Sequence, residues 1–118
     1  MSAPVNICVT APSKDSTVYL YSHWDGEEIV SVLKDALDRG RPRWRDDSYL
    51  ARIIFCEMVK DDVYGLTGYG ISGYPTADSR MILWVDVDDQ TVRVGEAVFT
   101  FSEYVDQDDD SLKRLLTE

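Results

Sequence analysis

Two short apolar segments near the start of the chain have the composition of β-strands. Residues 5–10 (VNICVT) and 17–22 (TVYLYS) are rich in β-branched and aromatic side chains, and the turn-forming segment APSKDS separates them. Two such runs joined by a short polar connection are typical of a hairpin. We therefore predict that the chain begins with two paired strands.

The spacing of apolar residues then changes to that of a helix. Asp25 is predicted to cap this helix, and Gly40 follows its last turn. A second helix is predicted over residues 47–60, and it begins near the capping-type residues 46–48. The first helix is predicted over residues 26–39 because five apolar residues recur there at helical intervals: Ile29, Val32, Leu33, Ala36 and Leu37.

The segment between the two helices, RPRWR at 41–45, contains a proline that restricts the backbone. Proline disfavours a helical conformation in the residue before it, so Arg41 is expected to be extended. The segment should then form a bent linker that holds its arginine side chains and Trp44 out at a corner of the molecule.

The second half of the chain contains one strong strand pattern and several weaker ones. Residues 81–87 (MILWVDV) form the most strand-like run, and residues 91–94 are predicted to return as its partner after a tight turn. The glycine-rich stretch 65–73 is expected to begin with a short strand and end in a loop. A further strand or bend is expected at 97–101, and a short helix from about Asp110.

Together these elements predict a single α+β domain over residues 1–118, with the order ββααβββ(α). Strands come as a pair, then two helices, then a hairpin, without the regular alternation of a parallel α/β fold. The two central helices are expected to pack on one face of a mostly antiparallel sheet. The length of 118 residues fits one domain with a hydrophobic core of its own.

Composition and charge restrict the binding partners. Twenty-two acidic against twelve basic residues give a net charge of −10, so direct binding of nucleic acid is not expected. Cys8 and Cys56 are predicted to be reduced thiols in the core. The first residues lack a basic region before a long apolar run, and no window is apolar enough for a membrane span. We expect a cytoplasmic protein.

The only histidine lies where the second strand meets the first helix. The segment YLYSHWDG brings Tyr21, His23 and Trp24 to the end of a strand beside a helix N-terminus, where ligands bind in layered α/β structures. These three residues are candidates for ligand binding. The structural alternative is that Trp24 packs on the helix, Asp25 caps it and His23 is a surface residue.

An arginine-rich segment supplies a second set of candidates. Arg41 and Arg43 alternate with other residues beside Trp44, and guanidinium groups next to an indole suit phosphate binding and base stacking. Acidic residues flank this segment on both sides, so internal ion pairing explains it equally well.

The glycine-rich stretch GLTGYGISGY at 65–74 supplies a third set. Its glycines leave the backbone accessible, and Thr67 and Tyr69 offer hydroxyl groups to a ligand. The stretch matches neither a phosphate loop nor a dinucleotide-binding fingerprint. A glycine-rich hairpin loop without a ligand is the simpler interpretation.

Acidic residues concentrate in the last third of the chain. Those at 86–89 lack the glycine and distal glutamate of a calcium loop, so no metal site is assigned. No catalytic residue is assigned, because Ser22, His23 and Asp25 are too close in sequence for a relay, and no cofactor is predicted. Seven aspartates are candidates for contact with a protein partner: Asp86, Asp88, Asp89, Asp106, Asp108, Asp109 and Asp110.

Three segments, YLYSHWDG, RPRWRDDSYLARIIFCEM and TGYGIS, resemble a group of small uncharacterised proteins of bacteriophages and prophages, particularly those of actinobacteria. The resemblance covers about residues 17–94. It implies a compact accessory protein inside an infected bacterial cell, where anti-defence and host-takeover roles are common. It implies no particular chemistry.

Three functions are compatible with these observations. In the first, the protein binds a small anionic ligand such as a nucleotide signal, through the histidine segment, the arginine linker and Tyr69. In the second, its acidic surface between residues 86 and 110 imitates nucleic acid or blocks a basic surface on a bacterial defence or host protein. In the third, it is a small hydrolase that uses His23. We favour binding over catalysis; the oligomeric state, including a homodimer, stays open.

Overall fold

The structure, a computed structural model, describes residues 4–76 and 81–117. Residues 1–3, 77–80 and 118 of the predicted domain lie outside this description. The strands are β1 (Val5–Ala11), β2 (Ser16–Ser22), β3 (Tyr69–Ser72), β4 (Ile82–Asp86), β5 (Thr91–Val94) and β6 (Ala97–Thr100). The α-helices are α1 (Ile29–Arg39), α2 (Asp47–Val59), α3 (Phe101–Val105) and α4 (Asp109–Thr117).

The six strands form one sheet in the order β3-β2-β1-β4-β5-β6. Four of the five neighbouring pairs are antiparallel, and the pair of β1 with β4 is parallel. This arrangement confirms the predicted mostly antiparallel α+β fold. It also makes β3 and β6 the two edge strands.

Alternate residues of each strand point to opposite faces of the sheet, and the helices cover one of these faces. Val5, Ile7 and Val9 of β1 point into that layer and are buried. Helices α1 and α2 contact each other there, and α3 and α4 pack beside α1. The hydroxyl of the buried Tyr104 in α3 donates a hydrogen bond to the carbonyl of Val30 in α1 at 2.8 Å. All four helices therefore share one core with the sheet.

The ends of the two central helices differ from the predictions in one respect. The first helix begins with a 3-10 turn at Gly26–Glu28 before α1, and no side chain caps either segment. The carboxylate of Asp25 instead accepts a hydrogen bond from the hydroxyl of the buried Ser22 at 2.8 Å. Asp25 therefore occupies the N-cap position, as predicted, but its side chain does not cap the helix. Asp46 does cap α2, because its carboxylate accepts the backbone N–H of Tyr49 at 3.2 Å.

The linker between the helices is also more compact than predicted. Arg41–Arg43 form a single 3-10 turn, so the expectation of an extended Arg41 is wrong. Pro42 is tolerated there because the first turn of a helix has N–H groups without an internal partner, and a missing N–H costs nothing.

Two further predictions fail in the second half of the chain. The glycine-rich stretch begins as a loop and ends in β3, the reverse of the expected order. Phe101 opens the short helix α3, which was not predicted as a helix. A capping box starts it, with the Thr100 hydroxyl accepting the N–H of Glu103 and the Glu103 carboxylate accepting the N–H of Thr100. A helix of five residues is too short to show an apolar period.

The two cysteines lie in different environments. Cys8 is buried, as predicted, whereas Cys56 is exposed, so its assignment to the core is wrong. Helix α2 buries only one narrow stripe, formed by Leu50, Ile54 and Met58 at intervals of four residues. Cys56 lies off that stripe.

The sheet has two ends that gather different segments. We call the end with the β1–β2 and β4–β5 turns the hairpin end, where the carboxylate of Asp88 accepts hydrogen bonds from Ser13. We call the other end the histidine end, where the backbone N–H of His23 donates to the carbonyl of Gly68 at 2.8 Å. Helix α1 begins at the histidine end and leads to the linker at the hairpin end. Within the described part of the chain, no helix has the length and apolarity needed to cross a membrane.

Candidate functional site

The histidine end brings together part of the predicted ligand-binding set. Pairing of β2 with β3 places Ser22 opposite Tyr69. The phenol oxygen of Tyr21 lies 2.8 Å from Nδ1 of His23, and the His23 ring meets the Trp24 ring edge-on with centroids 4.7 Å apart. Tyr21, His23 and Trp24 therefore form one aromatic cluster at the end of β2.

Gly68, in the glycine-rich stretch, packs directly against Trp24 of this cluster at a position where only glycine fits. Its φ of +95° lies in the region that favours glycine, and a Cβ added there would overlap Nε1 of Trp24. The stretch thus lets a loop backbone pass directly against the indole. Thr67, the residue before it, is exposed to solvent. The glycine has a packing purpose here, without any ligand.

Three carboxylates lie near the Tyr69 hydroxyl at the histidine end. Burial raises the pKa of the Tyr69 hydroxyl above its ordinary value, and the nearby carboxylates of Asp25, Asp62 and Asp61 raise it further. The same three carboxylates would repel a phosphate placed beside Tyr69. These carboxylates place negative charge beside the Tyr69 part of the predicted ligand-binding set.

The remaining predicted ligand-binding residues, Arg41, Arg43 and Trp44, lie at the hairpin end. Helix α1 separates the two groups, and its eleven residues correspond to about 16 Å at 1.5 Å per residue. The predicted single ligand wall, formed jointly by His23, Tyr69 and the arginine linker, is therefore not present.

Trp44 belongs mainly to the packing of the hairpin end. Its indole Nε1 donates a hydrogen bond to the carbonyl of Leu37 at 2.9 Å, in the last turn of α1. Its ring meets Phe101 of α3 edge-on, with centroids 5.4 Å apart. The last carbonyl groups of a helix lack partners within the helix, so this bond closes the C-terminus of α1. Trp44 joins the linker to the core.

The arginine side chains around Trp44 have different partners. Nε of Arg41 lies 2.9 Å from the carboxylate of Asp38, and its guanidinium lies 5.3 Å from the centroid of Trp44. The guanidinium of Arg43 lies 4.8 Å from the ring of Tyr49 in α2. The exposed Arg45 makes no ion pair within residues 4–76 and 81–117.

These residues border an open cleft, which we call the corner cleft. It has a volume of about 310 Å³ and is lined by Arg41, Pro42, Trp44, Arg45 and Gln90. Gln90 comes from the β4–β5 turn, and its carbonyl accepts the backbone N–H of Phe101 at 2.9 Å, which holds the turn against α3. The sequence offered Arg45 as part of the arginine pattern, but no local pattern identified Gln90.

The seven aspartates predicted to contact a partner fall into two places. Asp86, Asp88 and Asp89 lie in and beside the β4–β5 turn at the hairpin end. Asp106 and Asp108 lie in the connection between α3 and α4, and Asp109 and Asp110 lie in the first turn of α4, where Asp109 pairs with Lys34 of α1 at 3.3 Å.

Four of these aspartates already have internal partners. Asp86 accepts the N–H of Asp89, and Asp88 accepts from Ser13. Hydrogen bonds from Ser111 to Asp108 lower the pKa of that carboxyl, and Lys34 pairs with Asp109. The other three of the seven, Asp89, Asp106 and Asp110, form no side-chain hydrogen bond or ion pair with a described residue.

The sheet face opposite the helices carries an aromatic row that sequence reasoning missed. The rings of Tyr19 and Trp84 meet edge-on with centroids 6.4 Å apart, and the guanidinium of Arg93 lies 5.2 Å from the Trp84 ring. Register places Cys8 between Tyr19 and Trp84. This row explains how Cys8 is buried on a face that the helices leave open.

The described lining of the corner cleft contains guanidinium, amide, indole and proline groups. None of these groups is a general base near neutral pH, so the lining suits binding better than catalysis. In the part of the chain that the structure describes, no three His, Cys, Asp or Glu side chains are arranged to hold a metal ion. Neither protein-family models, curated proteins nor solved structures match this chain.

Proposed function

We propose that the protein is a non-enzymatic binder of a small anionic ligand, such as a nucleotide, and that the ligand occupies the corner cleft. The observation that carries this proposal is the presence of Arg41 and Arg45 on one cleft, together with the indole of Trp44 and the amide of Gln90. Arg45 has no ion pair with a described residue, so binding a phosphate there would not break an existing contact.

The chemistry of these groups supports a phosphate-containing ligand. A guanidinium group donates two parallel hydrogen bonds to phosphate oxygens, and such charged bonds are each worth about 1.5 to 3 kcal/mol. The volume of about 310 Å³ is at the lower end of the range for small-molecule sites. The ligand is therefore expected to be no larger than a nucleotide.

The biological setting is part of the same proposal. The resemblance of YLYSHWDG and the neighbouring segments to phage and prophage proteins supports an accessory role in the cytoplasm of an infected bacterium. Capture of a nucleotide signal would there be an anti-defence or host-takeover activity.

Calorimetry and thermal shift with a panel of linear and cyclic nucleotides test the proposal. We expect Arg45→Ala to lower the affinity for the bound nucleotide by roughly tenfold to a hundredfold, since one bidentate phosphate contact is lost. Arg45→Lys should recover only part of the loss, because lysine keeps the charge without the fork. Arg93→Ala is the matched control: it removes the same charge from the open sheet face and should leave the affinity unchanged.

Two outcomes count against the proposal. One is the absence of heat and thermal shift across the whole panel; the other is equal affinity in wild type and Arg45→Ala. Ligand recovered after denaturing the complex should be chemically intact. A cleaved ligand would contradict non-enzymatic binding in the corner cleft and favour a hydrolase site at the histidine end, in which case cleavage should be lost in His23→Ala.

A second candidate function is binding of a basic protein by the acidic surface. It is favoured by the net charge of −10 and by Asp89, Asp106 and Asp110, which form no side-chain hydrogen bond or ion pair with a described residue. Complexes with such a partner should weaken steeply with added salt and fail when Asp106 and Asp110 are changed to Asn. Salt-independent capture would contradict this function.

A further inference from the structure

Exposed apolar side chains concentrate around one edge of the sheet. Eight large apolar side chains are exposed among the described residues, and five of them lie between positions 63 and 74. Leu66 and Tyr64 are 98% and 94% exposed, so they protrude almost completely into solvent. The full set near this edge is Val63, Tyr64, Leu66, Ile71 and Tyr74. A concentrated patch of this kind marks an interaction surface more often than scattered exposed residues do.

An apolar groove lies beside these protruding side chains. It runs between α2 and strands β2 and β3, has a volume of about 250 Å³, and is bordered by almost purely apolar surface. Arg52 is the one charged side chain among its lining residues. The others are Val18, Leu20, Ala51, Phe55, Cys56 and Ile71. A groove whose exposed surface is almost purely apolar suits apolar side chains better than a charged ligand.

The groove adjoins the free side of edge strand β3. Among the described strands, β3 pairs only with β2, so its outer N–H and C=O groups face away from the sheet. Residues 69–72 (YGIS) contain none of the charges or prolines that commonly protect an edge strand. An unprotected edge accepts a further strand through backbone hydrogen bonds.

We propose that a second copy of this chain docks on this edge, so that two β3 strands pair antiparallel across a two-fold axis. A two-fold interface needs a self-complementary surface, and this one has both protruding apolar side chains and an apolar groove. The continuous sheet would bury Ile71 of both copies near the axis. Leu66 and Tyr64 of each copy would lie against the other copy.

The charges at the border of this surface also favour a second copy of the chain as the binding partner. Arg52 lies at the groove, while Asp61 and Asp62 lie in the loop that leads to β3. None of the three forms an ion pair with a described residue. A two-fold axis brings the positive charge of one copy towards the negative charges of the other, which offsets the repulsion expected from a net charge of −10.

Sedimentation and light scattering over a range of protein concentrations test the proposal. The wild type should show twice the chain mass of 13.4 kDa and dissociate on dilution. Ile71→Lys should raise the dissociation constant by roughly tenfold or more, because a central apolar contact is replaced by a charge. Val98→Lys is the matched control. Val98 is 60% exposed on the opposite edge strand β6, against 59% for Ile71, and its substitution should leave the dimer intact.

Both lysine substitutions make the net charge of the chain less negative by the same amount, so a difference between them reports the local contact at position 71 and not the net charge. Leu66→Lys provides a second variant that does not depend on the stability of β3, since Leu66 lies outside the strand and is almost fully exposed. It should also weaken the dimer. Hydrogen exchange of the backbone amides in β3 should be slow in the dimer and fast after dilution.

Three results would overturn the proposal. One is a wild-type chain that stays monomeric at every concentration. Another is a dimer whose dissociation constant is unchanged in both Ile71→Lys and Leu66→Lys, which would place the interface elsewhere. The third is growth into species larger than a dimer, because open-ended growth requires a heterologous contact and not a two-fold axis.

Discussion

The two ends of the sheet contain similar types of residue but arrange their charges differently. Both have an indole, a hydroxyl or amide group and a turn that comes from a distant part of the chain. At the histidine end, Trp24 is half exposed and three carboxylates act on Tyr69. At the hairpin end, Trp44 is packed against the core and Arg45 lacks an ion pair with any described residue. Residue types alone therefore do not identify an anion site.

The comparison teaches that the neighbours of an aromatic residue decide its role. Trp44 closes the C-terminus of α1 and contacts α3, so it mainly supports the shape of the corner cleft. Trp24 lies on the glycine backbone of residue 68 and contributes little to the core. The predictions below separate these roles by measurement.

Replacing the two tryptophans should have very different effects on stability. Trp44→Ala should lower the free energy of unfolding by about 3 kcal/mol, because it removes a packed indole and leaves the Leu37 carbonyl without its partner. Trp24→Ala should cost about 1 kcal/mol or less, since half of its surface is already in water. Urea unfolding at one fixed protein concentration measures both values. Equal losses would show that the distinction between the two ends is wrong.

The glycines of the stretch 65–73 should also differ in their tolerance of alanine. Gly68→Ala should lower the free energy of unfolding by about 1 to 3 kcal/mol, because φ at this position is +95° and the new Cβ overlaps Trp24. Gly70→Ala is the control: a Cβ there has no neighbour within 4 Å, and the expected change is within about 0.5 kcal/mol.

The NMR resonance of the Trp24 indole N–H gives a second measure of the same contact. It should shift in Gly68→Ala and stay in place in Gly70→Ala. A tolerated alanine at position 68, with an unchanged indole resonance, would refute the close approach of the loop to Trp24.

A smaller effect tests the acidic character of the histidine end. The pKa of Tyr69 is raised above 10.0 by burial and by nearby carboxylates, so Asp62→Asn should lower it towards that value. Asp38→Asn removes the same charge at the hairpin end and should have no effect. Titration of ¹³C-labelled tyrosine, with Tyr69→Phe for assignment, measures the shift.

The same pKa has a consequence for stability at high pH. The folded state holds the Tyr69 proton more tightly than the unfolded state, so its contribution to folding is fully present below pH 10. That contribution is lost as the pH rises through the raised folded value. If the Tyr69 pKa is the same in wild type and Asp62→Asn, the carboxylates do not act on it.

Local patterns predicted most of the fold. The β-branched runs identified β1, β2 and β4, and the helical period identified α1 and α2, because burial on one face imposes these periods on neighbouring residues. Helix α3 escaped prediction because five residues are too few to show a period. The exposure of Cys56 also escaped, since only packing decides which side of a mostly apolar helix faces the sheet.

The candidate site was predictable only in part. Arg41 and Trp44 of the corner cleft lie three residues apart in the linker, and their residue types suggested anion binding. Gln90 belongs to a segment far from the linker, and the acidic neighbours of Tyr69 belong to segments outside β3. No local sequence pattern predicted that these residues would lie near the candidate sites.

The sequence by itself determined most of the strands and the two central helices, because backbone preference and apolar period are properties of consecutive residues. Only the tertiary structure decided which side chains share a site. An eleven-residue helix carries the segments at its two ends about 16 Å apart, so His23 and Arg41 are separated although one helix joins them. Gln90 and Arg41 are far apart in the sequence, yet strand order and turn packing bring them to the same cleft. Contacts across the sheet do not depend on distance along the chain.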